Sequence, residues 1–181
     1  GTGAITVNAT GSYVHHTNGA IGAVFGSFTL NTYSTFIYRG SSTLVTPHSF
    51  NGKTYYNLIM ESTSGVYLPD PSGSNDLTVL GNLSIGGSGA GTVSFNLNSS
   101  SPFTGNINVA GATTIVSGNS YTTSSSSILT TDGDITINGT LTMLSDVTVG
   151  GNWIVGASGT QTNNSKAVFF NGTGTQTITK S

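Results

Sequence analysis

The hydrophobic pattern of this chain consists of very short alternating runs. The line Leu77-Thr-Val-Leu-Gly-Asn-Leu-Ser-Ile-Gly86 returns as Val147-Thr-Val-Gly-Gly-Asn-Trp-Ile-Val-Gly156, and shorter copies stand at residues 105–109 and 133–137. Each copy joins a Gly-Asx pair to a triplet in which apolar and polar residues alternate, which predicts a turn leading into a short strand. No segment keeps the 3.6-residue period of a helix. We therefore predict an almost wholly β chain.

The spacing of these copies predicts a solenoid. A strand motif that recurs about every 18 to 28 residues is typical of coils stacked at about 4.8 Å, which share backbone hydrogen bonds and one narrow core. We expect a parallel β-solenoid of about seven or eight rungs. The residues expected to face its core are Val79, Leu83, Ile85, Ile107, Val109, Ile135, Ile137, Leu141, Val147, Val149 and Val155.

The shared Gly-Asx start also predicts which residues are equivalent on different coils. Leu83, Ile107, Ile135 and Trp153 each follow such a pair, so we expect them to stack on one another. Trp153 is the only tryptophan, and we expect it to be buried near one end of the rod.

A longer echo joins the two ends of the chain. Residues 3–11 match residues 151–159, which pairs Ile5 with Trp153, and residues 36–43 match residues 168–175. The echo predicts a super-repeat that ends in the motif with which it begins. We expect residues 1–181 to form a single domain, in which residues 1–70 carry an insertion after Gly11 and residues 71–181 form the regular rungs.

The later copy of that echo resembles a known kind of repeat. Val168-Phe-Phe-Asn-Gly-Thr-Gly-Thr-Gln-Thr-Ile178, preceded by Gly150-Gly-Asn-Trp153, is similar to the repeat of bacterial cell-surface β-helix proteins, which are adhesin-like chains in the style of filamentous haemagglutinins and autotransporter passengers. Residues 38–45 and 55–59 resemble other parts of the same repeat. The resemblance implies a right-handed parallel β-helix on an extracellular surface.

Composition excludes several functional classes. Charged residues make up 6% of the 181 residues, and the formal net charge is −2. Because no basic patch is present to neutralise phosphates, we expect no nucleic-acid partner. No apolar run is long enough for a transmembrane helix, so we expect no membrane span. The chain has no cysteine, so disulfides do not stabilise this fold.

No group of side chains in the sequence is arranged like a catalytic or metal site. Asp132 and Asp134 flank a glycine, which indicates a turn more than a Ca²⁺ site. His15 and His16 are adjacent, so on a strand they point to opposite faces and cannot share a metal. His48 is expected in a loop, and the glycine-rich run at residues 86–91 is expected to be a flexible turn. We therefore predict no enzyme activity, no cofactor and no metal.

Two further patterns leave alternatives open. Pairs such as Thr140/Thr142, Thr160/Thr162, Thr175/Thr177 and Thr177/Thr179 resemble the flat arrays of ice-binding solenoids. The triplets Leu-Ser-Ile, Ile-Asn-Val and Ile-Thr-Ile interrupt such an array, so we do not expect one here. The seven tyrosines could stack on sugar rings. A carbohydrate-binding or carbohydrate-processing β-helix therefore remains an alternative, with surface glycans as possible partners.

The expected function concerns the ends of the rod. The chain begins in a predicted strand at residues 4–7 and ends in one at residues 175–178, with no helix to cap either end. A solenoid end exposes unpaired backbone groups and an open core. The residues expected to cover these ends in an assembly are Ile5, Val7, Thr175, Thr177 and Ile178.

We thus expect a non-enzymatic extracellular structural protein, a module of a self-assembling filament or a surface adhesin. Its partners would be copies of itself stacked head to tail, or flanking repeats of a longer chain. A β-sandwich pilin-like subunit, which would polymerise by donating the strand at residues 175–179, is the alternative fold.

Overall fold

The computed structural model describes residues 4–16, 27–40, 48–67, 71–99 and 102–181, and within these ranges the secondary structure consists of strands without a helix. The strands are numbered in chain order. A further strand that the sequence predicts at residues 43–45 lies outside the described residues.

Three parallel sheets run along the length of the molecule. The eight-stranded sheet contains β2 (Ser12–His15), β4 (Thr35–Gly40), β7 (Asn57–Ser62), β11 (Leu83–Ile85), β14 (Thr113–Ile115), β17 (Ile135–Ile137), β20 (Trp153–Val155) and β23 (Ile178–Lys180). The six-stranded sheet contains β6 (Thr54–Tyr55), β10 (Leu77–Val79), β13 (Ile107–Val109), β16 (Leu129–Thr131), β19 (Val147–Val149) and β22 (Val168–Phe170). The five-stranded sheet contains β8 (Val66–Tyr67), β12 (Thr92–Asn96), β15 (Ser120–Thr122), β18 (Thr140–Thr142) and β21 (Thr160–Thr162).

Two smaller sheets complete the described strands. One pairs β1 (Ala4–Val7) with β3 (Ser27–Leu30), and the other pairs β5 (His48–Ser49) with β9 (Pro71–Ser72). His48 therefore lies in a short strand, not in the loop that the sequence predicts.

The order of the strands is that of a β-solenoid. From β6 onward, each coil visits the six-stranded, the eight-stranded and then the five-stranded sheet, for about seven turns in all. Every strand pairing among the described residues is parallel. The predicted β-solenoid is confirmed, and the sandwich alternative is wrong because such a sandwich is built from antiparallel strands.

The register confirms three of the four positions predicted to be equivalent. Leu83, Ile135 and Trp153 lie in one column of the eight-stranded sheet, with Thr113 between the first two. Ile107 lies on the six-stranded sheet, where it pairs with Leu77 and Leu129. Its predicted position is wrong because a Gly-Asx pair precedes strands of both sheets, so the turn motif alone does not identify the sheet.

The long echo between the two ends does not correspond to equivalent positions. Ile5 lies in the two-stranded sheet with β3, whereas Trp153 lies in the eight-stranded sheet. Phe36 lies in the eight-stranded sheet and Val168 in the six-stranded one. The pairing of Ile5 with Trp153 is therefore wrong.

The core lies between the three sheets and contains the residues that the sequence places there. The predicted inward residues, from Val79 to Val155, are all buried, and Trp153 is buried in the next-to-last strand of its column. Aromatic rings fill the core of the first coils, whereas from β16 onward the core is aliphatic apart from Trp153. Two threonines face inward among them, and Thr113 and Thr131 bond to each other across the core at 2.8 Å, which satisfies both hydroxyls.

The corner between the six- and eight-stranded sheets explains the Gly-Asx motif. Each glycine donates its N–H to the backbone one coil below, as Gly111 does to Gly81 at 2.8 Å and Gly133 to Gly111 at 2.9 Å. A Cβ atom on Gly133 would lie 2.7 Å from the carbonyl oxygen of Gly111, so only glycine fits at this spacing. The motif thus marks a stacked corner.

The Asx side chains of the same corner bond from coil to coil. The Oδ1 atom of Asn57 accepts the N–H of Asn82 at 3.0 Å, and that of Asn82 accepts the N–H of Ala112 at 2.8 Å. Asp134 likewise accepts from Asn152 at 2.6 Å, and Asn152 from Thr177 at 2.9 Å. We call this series the corner ladder. It supplies acceptors for backbone donors where the chain leaves one sheet for the next.

Candidate functional site

The last coil forms an open end of the solenoid. Its strands β21, β22 and β23 each occupy the edge of one of the three main sheets. Within the described residues, nothing pairs with their outer edges. Phe170 and Ile178 hold the register positions of the buried Val149 and Trp153, yet Ile178 is 72% exposed and Phe170 38%. This end therefore presents apolar side chains at positions that one more coil would bury.

Polar side chains hold two further inward positions of the last coil. Gln161 stands where Leu141 stands one coil earlier, and it accepts the indole N–H of Trp153 at 2.9 Å. Lys180 stands where Val155 stands, and its Nζ atom donates to the carbonyl oxygen of Gly159 at 2.9 Å. The end is thus half polar and half apolar, a mixture that the sequence analysis did not foresee.

Two of the three C-terminal assembly residues, Thr175 and Thr177, lie outside the last strand of the structure. The last strand begins at Ile178, so the predicted strand at residues 175–178 is wrong by three residues, and Thr175 and Thr177 precede the strand. The side chain of Gln176 replaces the missing strand bonds, because its Nε2 atom donates to the carbonyl oxygens of Val149 and Gly151 at 3.0 and 2.6 Å. Thr177 is held by the corner ladder.

The N-terminal assembly residues lie in the first coil. Val7 is buried and Ile5 is half-buried, both on the inward side of β1. The only described partner of β1 is β3, and the only described partner of β2 is β4. The two predicted groups of assembly residues therefore lie at opposite ends of the molecule, each beside an outer strand edge.

The histidines and acidic residues considered for metals have structural roles or lie apart. His15 is buried beside the rings of Phe36 and Tyr38, while His16 is exposed. Asp134 belongs to the corner ladder, and Asp132 is exposed on the outer surface. Among the described residues, no group of three or more His, Cys, Asp or Glu residues is placed to hold a metal ion.

The glycine-rich run at residues 86–91 is packed against the end of β7. Gly86 donates to the carbonyl oxygen of Met60 at 2.8 Å, and Gly91 to that of Ser62 at 3.0 Å. Between them, Ser88 donates to Glu61, a buried carboxylate that also forms an ion pair with Arg39. The run therefore covers the ion pair between Glu61 and Arg39, and backbone hydrogen bonds hold both of its ends.

An exposed aromatic patch lies on the outer corner of the early coils, and the sequence analysis did not single it out. Tyr33 is 58% exposed and has a positive φ of 65°, which is uncommon for a non-glycine residue. Its ring lies 4.7 Å from that of Tyr56 in an edge-to-face arrangement. Leu80 follows Tyr56 on the next coil and is also exposed. We call these three residues the tyrosine patch.

The five-stranded sheet carries a regular array of small polar side chains on its outer surface. Ser94, Ser120, Thr140 and Thr160 form one column of this array, and Asn96, Thr122, Thr142 and Thr162 form the other. The triplets that seemed to interrupt such an array belong to the six- and eight-stranded sheets. Thr-x-Thr occurs on only two of these four strands, β18 and β21, so the expectation that a Thr-x-Thr array is interrupted holds for this sheet. The sheet instead aligns serine, threonine and asparagine side chains without a break.

The comparisons with known proteins add no family. No protein-family model, no curated protein and no solved structure matches this chain. Within the described part of the chain, no helix is long and apolar enough to cross a membrane.

Proposed function

We propose that this chain is a non-enzymatic structural module of an extracellular assembly, either a self-assembling filament or a surface adhesin. In this proposal the solenoid is joined through its ends to further coils of the same kind. The extracellular setting rests on the resemblance of residues 150–178 to repeats of bacterial surface β-helix proteins.

The observation that carries the proposal is the open end formed by β21, β22 and β23. Its three strands offer free backbone donors and acceptors in the direction of the rod axis, and such edges pair readily with added strands. Phe170 and Ile178 would gain burial from that pairing, at about 25 cal/mol for each Å² of apolar surface removed from water. The new backbone hydrogen bonds and the added apolar burial both favour a further coil on this end.

A second copy offers compatible strands at its first coil. If β1 of the second copy pairs with β22 so that inward residues face inward residues, Ile5 lies against Val168 and Val7 against Phe170. All four side chains are apolar. If β2 follows β23, Tyr13 meets Ile178. This contact would be head to tail, and repetition of it would give an open filament.

Lys180 opposes this stacking. It holds an inward position, and in the proposed stack it would face His15, whose side chain is buried. An unpaired ammonium that is removed from water is costly. We therefore expect weak axial association of the isolated chain, which flanking repeats or removal of this charge would strengthen.

Three of the reactive side chains are engaged in structural contacts, which supports a non-enzymatic role. Glu61 is paired with Arg39 beneath the glycine-rich cover, Asp134 bonds within the corner ladder, and His15 packs among aromatic rings. Catalytic groups need to converge on a shared cavity with access to substrate. These three lie on different coils and face different surroundings.

Sedimentation velocity over a wide range of concentrations tests the axial contact. We expect the native chain to associate and Lys180→Leu to associate more strongly. Ile178→Lys should remain monomeric, while Thr179→Lys, an outward substitution on the same strand, should behave like the native chain. Native and Lys180→Leu proteins that stay folded and monomeric at high concentration would contradict the proposal.

Carbohydrate binding is the second candidate, and the tyrosine patch favours it. An exposed and a half-buried tyrosine ring, with an exposed leucine, lie on three successive coils and make an apolar surface on which a sugar ring could stack. A glycan array would test this with Tyr33→Ala and Tyr56→Ala, and with Tyr121→Phe as a buried control. We expect loss of glycan binding in the first two variants alone. A native protein that retains no glycan would exclude this candidate.

A further inference from the structure

The outer array of the five-stranded sheet extends in two dimensions and consists of small polar side chains, whereas the outward positions of β4 and β7 include Ile37, Arg39 and Ile59. In strands β15 and β18 the central residue points inward, so the two flanking residues point outward. In three-residue strands of the other two main sheets, such as β13 and β17, the order is reversed and a single central residue points outward. Four consecutive coils of the five-stranded sheet thus present two adjacent columns. We call this surface the hydroxyl face, after Ser94, Asn96, Ser120, Thr122, Thr140, Thr142, Thr160 and Thr162.

The spacing of the hydroxyl face follows from strand geometry. Neighbouring strands lie about 4.8 Å apart, and residues two apart on one strand lie about 6.7 Å apart. Because the pairing is parallel and in register over β12, β15, β18 and β21, the same interval repeats from coil to coil. The face is therefore a small lattice of equivalent polar sites.

The side chains of this lattice are uncharged and held in place. None of the eight is acidic or basic, and seven of them carry a hydroxyl group. Ser120 donates to Ser94 at 3.1 Å, and the hydroxyls of Thr140 and Thr160 are 2.9 Å apart, so hydrogen bonds along the column orient them. Threonine is also stiff about χ1 because its Cβ atom is branched. An ordered lattice of this kind loses little conformational entropy when it binds a surface.

These features restrict the ligand to one that is periodic and uncharged. A charged ligand would find no counter-charge among the eight residues, and the irregular surface of a folded protein could not use the same contact at every site. A polysaccharide would need rings to stack on, but Phe95 and Tyr121 of these strands point into the core. Water in ice is periodic and uncharged, and each molecule both donates and accepts hydrogen bonds, as the hydroxyls do.

We propose that the hydroxyl face binds ice. The hydroxyl groups would replace lattice waters at the surface of the crystal, while the threonine methyl groups would occupy the gaps between water molecules. This activity belongs to the side of the rod, so it does not depend on the axial contact proposed above.

Partition of the protein into slowly growing ice tests the proposal. We expect the native protein to be enriched several-fold in the ice fraction relative to a non-binding protein, and to slow the recrystallisation of ice. The double variant Thr122→Lys/Thr142→Lys should lose both effects, because charged and longer side chains break the lattice. The matched control Thr130→Lys/Thr148→Lys places the same charges on the outer surface of the six-stranded sheet and should retain both.

Two further measurements separate loss of ice binding from loss of folding and from binding of another ligand. Circular dichroism verifies that each variant is folded, and Thr142→Val, which keeps the shape and removes the hydroxyl, replaces any lysine variant that does not fold. Exclusion of the folded native protein from ice would overturn the proposal. Equal loss of ice binding in the control variant would overturn it in favour of a nonspecific surface. Binding to insoluble chitin or cellulose that only the Thr122→Lys/Thr142→Lys change abolishes would overturn it in favour of a sugar-binding surface.

Discussion

The cores of the first and the last coils of this solenoid are filled by different kinds of residues. In the coils around β4 and β7 the core is aromatic, and the ring of Phe36 lies within 5.3 Å of the rings of Tyr13, Tyr38 and Tyr55. In the coils around β17 and β20 the core is aliphatic apart from Trp153, and neighbouring coils are joined by stacked glycines and the corner ladder. Large rings therefore fill the early core, while close backbone contact at the corner holds the later coils in register.

Coil length also varies along the solenoid. From Leu58 to Ile178, successive residues of one column are separated by 25, 30, 22, 18 and 25 residues. The coil of 18 residues lies where the glycine corners are most regular, and the longer coils carry loops such as the glycine-rich cover. Solenoid stability is approximately a sum of terms within and between neighbouring coils, so the two regions can be perturbed separately.

The largest expected effect is loss of a large buried ring in either region. Trp153→Ala and Phe36→Ala should each lower the free energy of unfolding by about 3–5 kcal/mol through lost burial and a residual cavity. We expect Phe36→Ala to cost more, because rings surround Phe36 whereas only the last coil lies beyond Trp153. Urea unfolding followed by circular dichroism measures both. Ready quenching of Trp153 fluorescence by iodide in the native protein would contradict the burial of this side chain.

A substitution at the glycine corner should have the next largest effect. Gly133→Ala places a Cβ atom 2.7 Å from a backbone oxygen that cannot move away, and we expect a cost of about 1–3 kcal/mol from overpacking. Gly174→Ala is the matched control, because its Cβ atom would meet nothing within 4 Å. Equal thermal stabilities for the two variants would show that the stacked glycines do not determine the register.

Alkaline pH should weaken the aromatic region selectively. Burial raises the pKa of Tyr38 from its usual 10.0 to about 12, and burial also raises the pKa of Tyr55, which bonds to Tyr38 at 3.2 Å. Since the unfolded chain releases these protons first, their contribution to stability is complete below pH 10 and is lost as the pH rises towards 12. Unfolding as a function of pH measures this loss, and Tyr55→Phe should reduce it. A pH-independent stability in this range would contradict the prediction.

The smallest expected effect concerns one step of the corner ladder. Asn152→Ala removes the acceptor for the backbone N–H and the hydroxyl of Thr177, both at 2.9 Å. Because this site is exposed and water can replace the amide, we expect a loss of about 0.5–1.5 kcal/mol. Hydrogen exchange at Thr177 should quicken while exchange at Leu83, far along the column, stays unchanged. If hydrogen exchange became faster to the same extent along the whole chain, the corner ladder would stabilise the whole solenoid and not one coil.

Sequence reasoning succeeded where a local pattern has one structural solution. The alternation in Leu77-Thr-Val79 and Ile135-Thr-Ile137 identifies inward and outward residues, because neighbouring side chains of a strand point to opposite faces. The buried positions of Val79, Ile137 and Trp153 follow from that rule. The same rule explains why His15 is buried and His16 exposed.

The candidate surfaces were harder to predict because they depend on several coils at once. The hydroxyl face brings together residues from four strands, and the tyrosine patch brings together a turn residue and two corner residues. Thr140-Leu-Thr142 was visible in the sequence, but its neighbours on the sheet were not. The polar residues Gln161 and Lys180 became recognisable as core positions only once Leu141 and Val155 were known to lie beneath them.

The sequence by itself therefore determined the parallel solenoid and the direction of the side chains in its alternating apolar strands, because both follow from the period of two and from repeated Gly-Asx turns. Only the tertiary structure decided which of the three sheets each strand joins. All three sheets share that period, and coils of 18 to 30 residues place no fixed interval between equivalent positions. Ile107 shows the consequence, since a correct inward residue was assigned to the wrong column until the hydrogen bonds between coils established its partners.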